Sequence, residues 1–195
     1  MERLCERLEE EGIDLSTMYG LEFFAREGNW HTVDYAKKIK ELHAWEMNPQ
    51  FRQGLERNLP FADIVIGDSF QLARMPEHAG MFNFIVFDNP QGLFGQDDCY
   101  CEHFEALDLV SQLMSDTGVV IFLVNKNPYD YEKHSEWKAA REGFYGISDT
   151  DKIDVSFLVD WYEEFFSGMG LRTVFSFEEK RNDYISYLVF SLARN

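Results

Sequence analysis

Residues 18–46 read MYGLEFFAREGNWHTVDYAKKIKELHAWE, and the order of elements inside this stretch decides the fold. Met18 to Phe24 is an apolar run of strand length, too short for a helix. Ala25-Arg26-Glu27-Gly28 makes a tight segment after it. A helix is expected over His31–Ile39, with Val33, Ala36 and Ile39 turned toward a sheet. A second apolar strand, Leu42–Trp45, ends in the acid Glu46. Strand, glycine-containing turn, helix, and strand ending in a carboxylate together form the first half of a nucleotide-binding α/β unit. A turn at the carboxyl end of the first strand lets a ligand approach the backbone and the start of the next helix. An acid ending the second strand can accept both ribose hydroxyls. Any α/β protein can contain one such unit, so the rest of the chain has to carry the reading.

Outward from this stretch the alternation continues. Residues 2–12 begin with a charged amphipathic helix that puts Leu4, Cys5 and Leu8 on one side and stops at Gly12. Met47-Asn48-Pro49 leads into a helix to about Asn58, with Phe51 and Leu55 on its apolar face. Asp63–Gly67 is a third short strand, followed by Asp68-Ser69-Phe70; Asp68 is placed to cap a short helix through Leu72 and Ala73. Phe82–Phe87 is a fourth strand, ending in Asp88-Asn89-Pro90-Gln91-Gly92, where Asn-Pro and Gln-Gly are ordinary turn formers. Cys99-Tyr100-Cys101-Glu102-His103 has no matching second ligand pair for a structural zinc, and no metal is expected. It reads instead as the start of a helix through Phe104, Leu107, Val110 and Met114, with Tyr100 and His103 near the pocket. Gly118–Val124 is a continuous apolar run, the pattern of a central parallel strand covered on both faces. A polar excursion at 125–152 contains a helical stretch at Ser135–Arg141. An amphipathic helix follows, marked by Val155, Leu158, Val159, Tyr162, Phe165 and Phe166 and closed by Gly168 and Gly170. Leu171–Phe177 and Tyr184–Leu192 then form a hairpin.

Leu21-Glu22-Phe23-Phe24-Ala25-Arg26-Glu27-Gly28 resembles the first motif of class I S-adenosylmethionine-dependent methyltransferases, in the form L-[DE]-x-F-A-G-x-G. Glu22, Phe24, Ala25 and Gly28 match it, and Arg26 stands where the family usually has glycine. The order of elements fits the resemblance over nearly all of the chain. It implies an α/β, Rossmann-like three-layer sandwich: one domain, 1–195, with a mostly parallel seven-stranded sheet and a C-terminal antiparallel hairpin. It also implies S-adenosylmethionine as cofactor. On that reading Glu22, Ala25 and Gly28 hold the methionine side, Glu46 the ribose and Asp68 the adenine. Phe24, Arg26, Glu27, Met47, Ser69 and Asp88 complete the cofactor-binding set. Arg26 pointing to solvent leaves cofactor affinity intact, whereas Arg26 filling the methionine side blocks it.

Asn89 and Pro90 fall where amine-methylating members carry [DNS]-P-P-[YFW], whose oxygens orient the acceptor, and they are the catalytic candidates. Gln91 and Gly92 depart from that pattern, which counts against a planar base as acceptor; Phe94 is a substitute for the missing aromatic residue. In the resembling family, segments after the fifth strand often shape substrate choice, which makes 125–152 a substrate-side insertion. A different class of function, a degenerate methyltransferase fold serving as a binding or regulatory subunit, draws on Arg26, the altered fourth motif and the high negative charge. A nicotinamide-dependent enzyme is a third reading, disfavoured by the missing G-x-G-x-x-G and the final hairpin.

Composition bounds the partners. At 195 residues, 45% hydrophobic and 16% aromatic, the chain can build a packed core. Its three cysteines are too few and too odd in number for a disulfide framework, and the cytoplasm is the expected location. No apolar run approaches membrane-spanning length. The net charge of −17 disfavours unaided nucleic-acid binding, which rests on neutralising phosphates. A small-molecule or protein acceptor, and a basic protein partner, suit it better.

Overall fold

The computed structural model describes residues 1–88, 92–125, 131 and 133–195. Its chain order is α1 (Glu2–Glu10), β1 (Tyr19–Phe23), α2 (Thr32–Ala36), β2 (Glu41–Glu46), α3 (Arg52–Asn58), β3 (Asp63–Ile66), α4 (Ser69–Ala73) and β4 (Phe82–Phe87). There follow β5 (Leu93–Phe94), β6 (Tyr100–Cys101), α5 (Phe104–Leu107), α6 (Val110–Leu113), β7 (Met114–Asn125), α7 (Ser135–Tyr145), α8 (Val155–Gly168), β8 (Leu171–Lys180) and β9 (Ile185–Arg194). One sheet of seven strands runs β3-β2-β1-β4-β7-β9-β8. The first five of these are parallel, and β9 is antiparallel to both β7 and β8.

Alternation along the strands splits the core into two layers. Ile85 and Phe87 of β4, with Val120 and Phe122 of β7, pack with residues of α5, α6 and α8 on one face. Phe84 and Val86, with Val119 and Ile121, pack with α1, α2 and α3 on the other. Strands so apolar on both faces are what a helix-covered parallel sheet requires. The three-layer α/β architecture ending in an antiparallel hairpin is therefore as expected. Among the described residues, no helix is long and apolar enough to cross a membrane.

Two readings need correction. The helix expected from Cys99 to Met114 is broken: Tyr100–Cys101 pairs antiparallel with Leu93–Phe94, short helices follow, and Met114 already opens β7. Asp97 and Asp98 at the hairpin tip have φ of 55° and 52°, outside the helical region. β7 is 12 residues long because it pairs with Phe82 of β4 at Met114 and with β9 from Thr117 to Asn125. The helix expected over His31–Ile39 is regular only from Thr32 to Ala36. At 125–152, α7 buries Trp137, Arg141 and Tyr145, and the Phe144 ring stacks on Phe104 at 3.7 Å.

The turn after β1 is seated on α3. Gly28 has φ +60°, and a Cβ there would lie 2.5 Å from Leu59 Cδ1 and 3.1 Å from Leu55 Cδ2. The backbone angle disfavours a side chain, and the space does not admit one without displacing Leu59. Gly28→Ala should therefore destabilise the fold by about 2–3 kcal/mol, the scale of left-handed strain plus overpacking. Urea unfolding with an unchanged slope and a lowered midpoint is the expected result; an unchanged midpoint contradicts it.

Candidate functional site

Glu46 ends β2 with its carboxylate turned back on the loop after β1. Its Oε2 accepts the Arg26 backbone N–H at 2.8 Å, and its Oε1 accepts the Asn48 backbone N–H at 2.7 Å. Ala25 N–H donates to the Trp45 carbonyl at 2.9 Å, and Gly28 N–H to the Ala25 carbonyl at 2.9 Å. The amides of Ala25 and Arg26 thus tie the loop to the end of β2, and the Gly28 amide closes the turn on Ala25. Within it Phe24 and Arg26 take φ of 65° and 49°, a left-handed backbone that side chains rarely adopt.

Two adjoining cavities open over this edge of the sheet. The larger, about 490 Å³, is walled by the rings of Phe24, Phe70, Phe94 and Tyr100 and carries the carboxylates of Glu46 and Asp68. The rings brace one another: Phe70 stacks on Tyr100 at 4.7 Å, and Phe24 meets Phe70 and Phe94 at 5.7 and 5.6 Å. Asp68 caps α4, accepting the Phe70 N–H at 2.9 Å, and lines the cavity as well. The smaller cavity, about 230 Å³, is more polar, with the 25–29 loop, Thr32, Phe51 and Asp88 around it. Arg26 and Trp30 line both cavities, so they mark the junction.

Asp88 ends β4 at the floor of the smaller cavity, 3% exposed. Tyr187 Oη donates to its Oδ1 at 3.0 Å, and Arg181 Nη1 lies 3.5 Å from the same oxygen. Burial still pushes the carboxyl up to about 6, against the opposing pull of Tyr187 and Arg181. Glu22 lies fully buried in β1, accepting a hydrogen bond from the Tyr35 hydroxyl. Its carboxyl is raised well above the usual range by burial and then by the Asp88 charge.

The structure brings most of the expected site residues together. Phe24, Arg26, Glu46, Met47, Asp68 and Ser69 line the larger cavity, and Ala25, Arg26, Glu27, Gly28 and Asp88 the smaller. Glu22 lines neither and sits beneath the loop. Asn89 and Pro90 lie outside the described residues. Tyr100 and Phe94 reach the larger cavity as expected, but His103 does not. Its imidazole is buried against the Tyr162 hydroxyl, where burial and then the Arg141 charge lower it to about 3. Nearby Glu102 accepts the Trp137 indole N–H at 2.9 Å and faces Arg141 Nε at 3.5 Å. Glu102 N–H donates to the Gly92 carbonyl at 2.8 Å.

Sequence reasoning missed Trp30, Thr32 and Phe51 at the cavities and the support of Asp88 by Tyr187 and Arg181. Trp30 carried a usable signal, an aromatic residue two positions after the turn glycine Gly28. The C-terminal pair carried none, because Tyr187 is 99 residues from Asp88 and reaches it only through sheet pairing.

This architecture is that of the class I S-adenosylmethionine-dependent methyltransferases. Among solved structures it is similar to M. jannaschii TYW2 in complex with AdoMet, with a TM-score of 0.64, 14% identity, and coverage of 100% of this chain and 77% of that one. Trm1 from Pyrococcus horikoshii, solved with S-adenosyl-L-methionine, gives a TM-score of 0.67 at 13% identity over 100% of this chain and 56% of that one. The Escherichia coli yhhF protein, a candidate methyltransferase, gives 0.58 at 13% identity, with 100% and 86% covered. At these identities the likeness is one of fold. No protein-family model matches the sequence, and no curated protein matches it.

The Asp88 geometry has a pH signature. The carboxyl titrates at 3.8 without its surroundings and at about 6 within them, so the native state holds the extra proton between those values. Stability declines as pH rises through that window, and above it the full penalty, on the order of 3 kcal/mol, is present. Asp88→Asn keeps an acceptor for Tyr187 and removes the buried charge. Its melting temperature relative to the parent should be more favourable at pH 8 than at pH 4. An equal difference at both pH values contradicts the assignment.

Proposed function

We propose that this chain is an S-adenosylmethionine-dependent methyltransferase acting on an amine-bearing small molecule or protein. The observation that carries the reading is the Glu46 carboxylate at the end of β2, which accepts the Arg26 and Asn48 amides and lines the larger of two adjoining cavities of different character. Each Glu46 oxygen accepts one amide and has lone-pair capacity left, and the residue lines the larger cavity, a combination suited to recognition of a vicinal diol. Rings on several sides, with Asp68 and Ser69 at the edge, suit a purine. The smaller, polar cavity suits the methionine end. The TYW2 and Trm1 structures, each solved with this cofactor, support the choice of ligand.

Bound there, the cofactor supplies a methyl group activated by its sulfonium. The chain's part is positioning. The loop at 24–28 and Glu46 fix the donor, and Asn89 and Pro90, directly after Asp88, orient the acceptor amine by accepting its hydrogens. Placement of two reactants in line accounts for the larger share of such a rate enhancement. The net charge of −17 makes a basic partner the suitable companion for any nucleic-acid substrate. Arg26, which is exposed, does not fill the smaller cavity, which favours the catalytic reading over a degenerate subunit.

Calorimetry with S-adenosylmethionine, S-adenosylhomocysteine and nicotinamide dinucleotides tests the proposal. The first two should bind at one site, and the last should not. Glu46→Ala should weaken S-adenosylhomocysteine about 10- to 100-fold, the scale of losing hydrogen bonds to a charged acceptor. Unchanged affinity in a folded variant sinks the ribose assignment. Binding without methyl transfer to any amine, nucleoside, transfer RNA or extract protein returns the chain to the subunit reading.

A further inference from the structure

Trp30 lines both cavities and so stands at their junction, yet it is 54% exposed. The other aromatic side chains of the lining are buried or half-buried and already engaged. Phe24, Phe70, Phe94 and Tyr100 form one cluster over the larger cavity, and Phe51 lies under the Arg26 guanidinium. Trp30 is braced instead by a cation from the C-terminal hairpin. The Arg181 guanidinium sits 5.1 Å from its ring centroid and is anchored in turn on Asp88, 3.5 Å from Oδ1. The backbone N–H groups of Arg181 and Asn182 both donate to the Ile185 carbonyl at 3.1 Å, which fixes the turn that carries the guanidinium. A ring held from one face in this way offers its opposite face to a ligand, and a planar π-system is the natural occupant.

On the cofactor reading above, the nucleoside lies in the larger cavity and the amino-acid end in the smaller, and the sulfonium joins the two. Trp30 therefore flanks the place where the methyl group leaves the donor, and an acceptor presented to that methyl lies within reach of its open face. Charge selects neither sign of acceptor at the smaller cavity, because Arg26 and Arg181 are balanced by Glu27 and Asp88. Shape is left to decide. Gly92 offers no ring after Asp88, and Phe94 is committed to the larger cavity.

We propose that Trp30 is the acceptor platform: the acceptor is an uncharged heteroaromatic amine whose ring stacks on the open face of Trp30. This rests on the cofactor reading and narrows it from amines at large to planar ones. Trp30 is thereby a specificity-determining residue, and Arg181 positions it. The transfer step is unchanged in its balance. The nitrogen's electron pair forms the N–C bond, the C–S bond breaks with its pair going to sulfur, and the nitrogen's proton passes to water.

The experiment is an NMR titration of the chain saturated with S-adenosylhomocysteine, so that the cofactor's place is filled. Cytosine and adenine are the planar probes, and cyclohexylamine and Nα-acetyl-lysine the non-planar ones. The planar probes should bind and shift the Trp30 indole N–H; the other two should not. Trp30→Leu should weaken both planar probes roughly 5- to 100-fold, the range of one ring stacked on an aromatic side chain. Trp30→Phe should restore part of that loss. Because Trp30 is exposed, both variants should fold, and saturation with S-adenosylhomocysteine is verified in each. Undiminished binding of the planar probes by Trp30→Leu overturns the role of Trp30, as do planar probes that bind the wild type no better than the non-planar ones. A wild type that does not bind S-adenosylhomocysteine overturns the cofactor reading itself, and this proposal with it.

Discussion

The Glu46 carboxylate accepting the amides of Arg26 and Asn48 is the interaction on which the site depends. It joins the end of β2 to the loop after β1, and that loop forms walls of both cavities. Two hydrogen bonds to a charged acceptor contribute about 1.5–3 kcal/mol each. Two left-handed residues, Phe24 and Arg26, cost about 1–2 kcal/mol each. The terms nearly offset, so the loop is held in a strained shape without a large net effect on stability. The strained shape is useful: it turns Phe24 toward Phe70 and Phe94 and Arg26 toward Phe51.

A second constraint acts at the floor. Asp88 is buried where its charge is unfavourable, yet Tyr187 and Arg181 surround it with a donor and a cation. Tyr187 lies on β9 and Arg181 in the connection leading to it, so the antiparallel hairpin does more than close the sheet. It supplies the groups that keep a carboxylate at the end of β4. Trp30 covers the same region from the β1 side, with the Arg181 guanidinium 5.1 Å over its ring. The C-terminal hairpin and the first loop thus meet across the smaller cavity.

The sheet was legible in the sequence where burial imposes a pattern. Phe82–Phe87 and Gly118–Val124 are apolar on both faces because helices cover both faces, and Glu46 stood out as an acid ending such a run. The Cys99–Met114 stretch misled because its apolar residues have helical spacing while its start pairs with Leu93–Phe94. That pairing depends on left-handed Asp97 and Asp98, residues whose type permits but does not demand such a backbone. His103 was drawn toward the pocket by Tyr100 three residues before it, yet β6 ends at Cys101 and left-handed Glu102 follows, and His103 is buried against Tyr162. Arg181 and Tyr187 were invisible for a different reason: their roles arise from register between distant strands, which local pattern does not encode.

The most direct test of this account is a heteronuclear NMR titration of the wild-type protein with S-adenosylhomocysteine. The backbone amides of Arg26, Gly28, Asn48 and Phe70 should shift together and saturate with one affinity. The amides of Arg26 and Asn48 should also stay protected from exchange, because Glu46 holds them while its remaining lone pairs engage the ligand. Saturable shifts confined to other parts of the chain, with these amides unmoved, contradict the account.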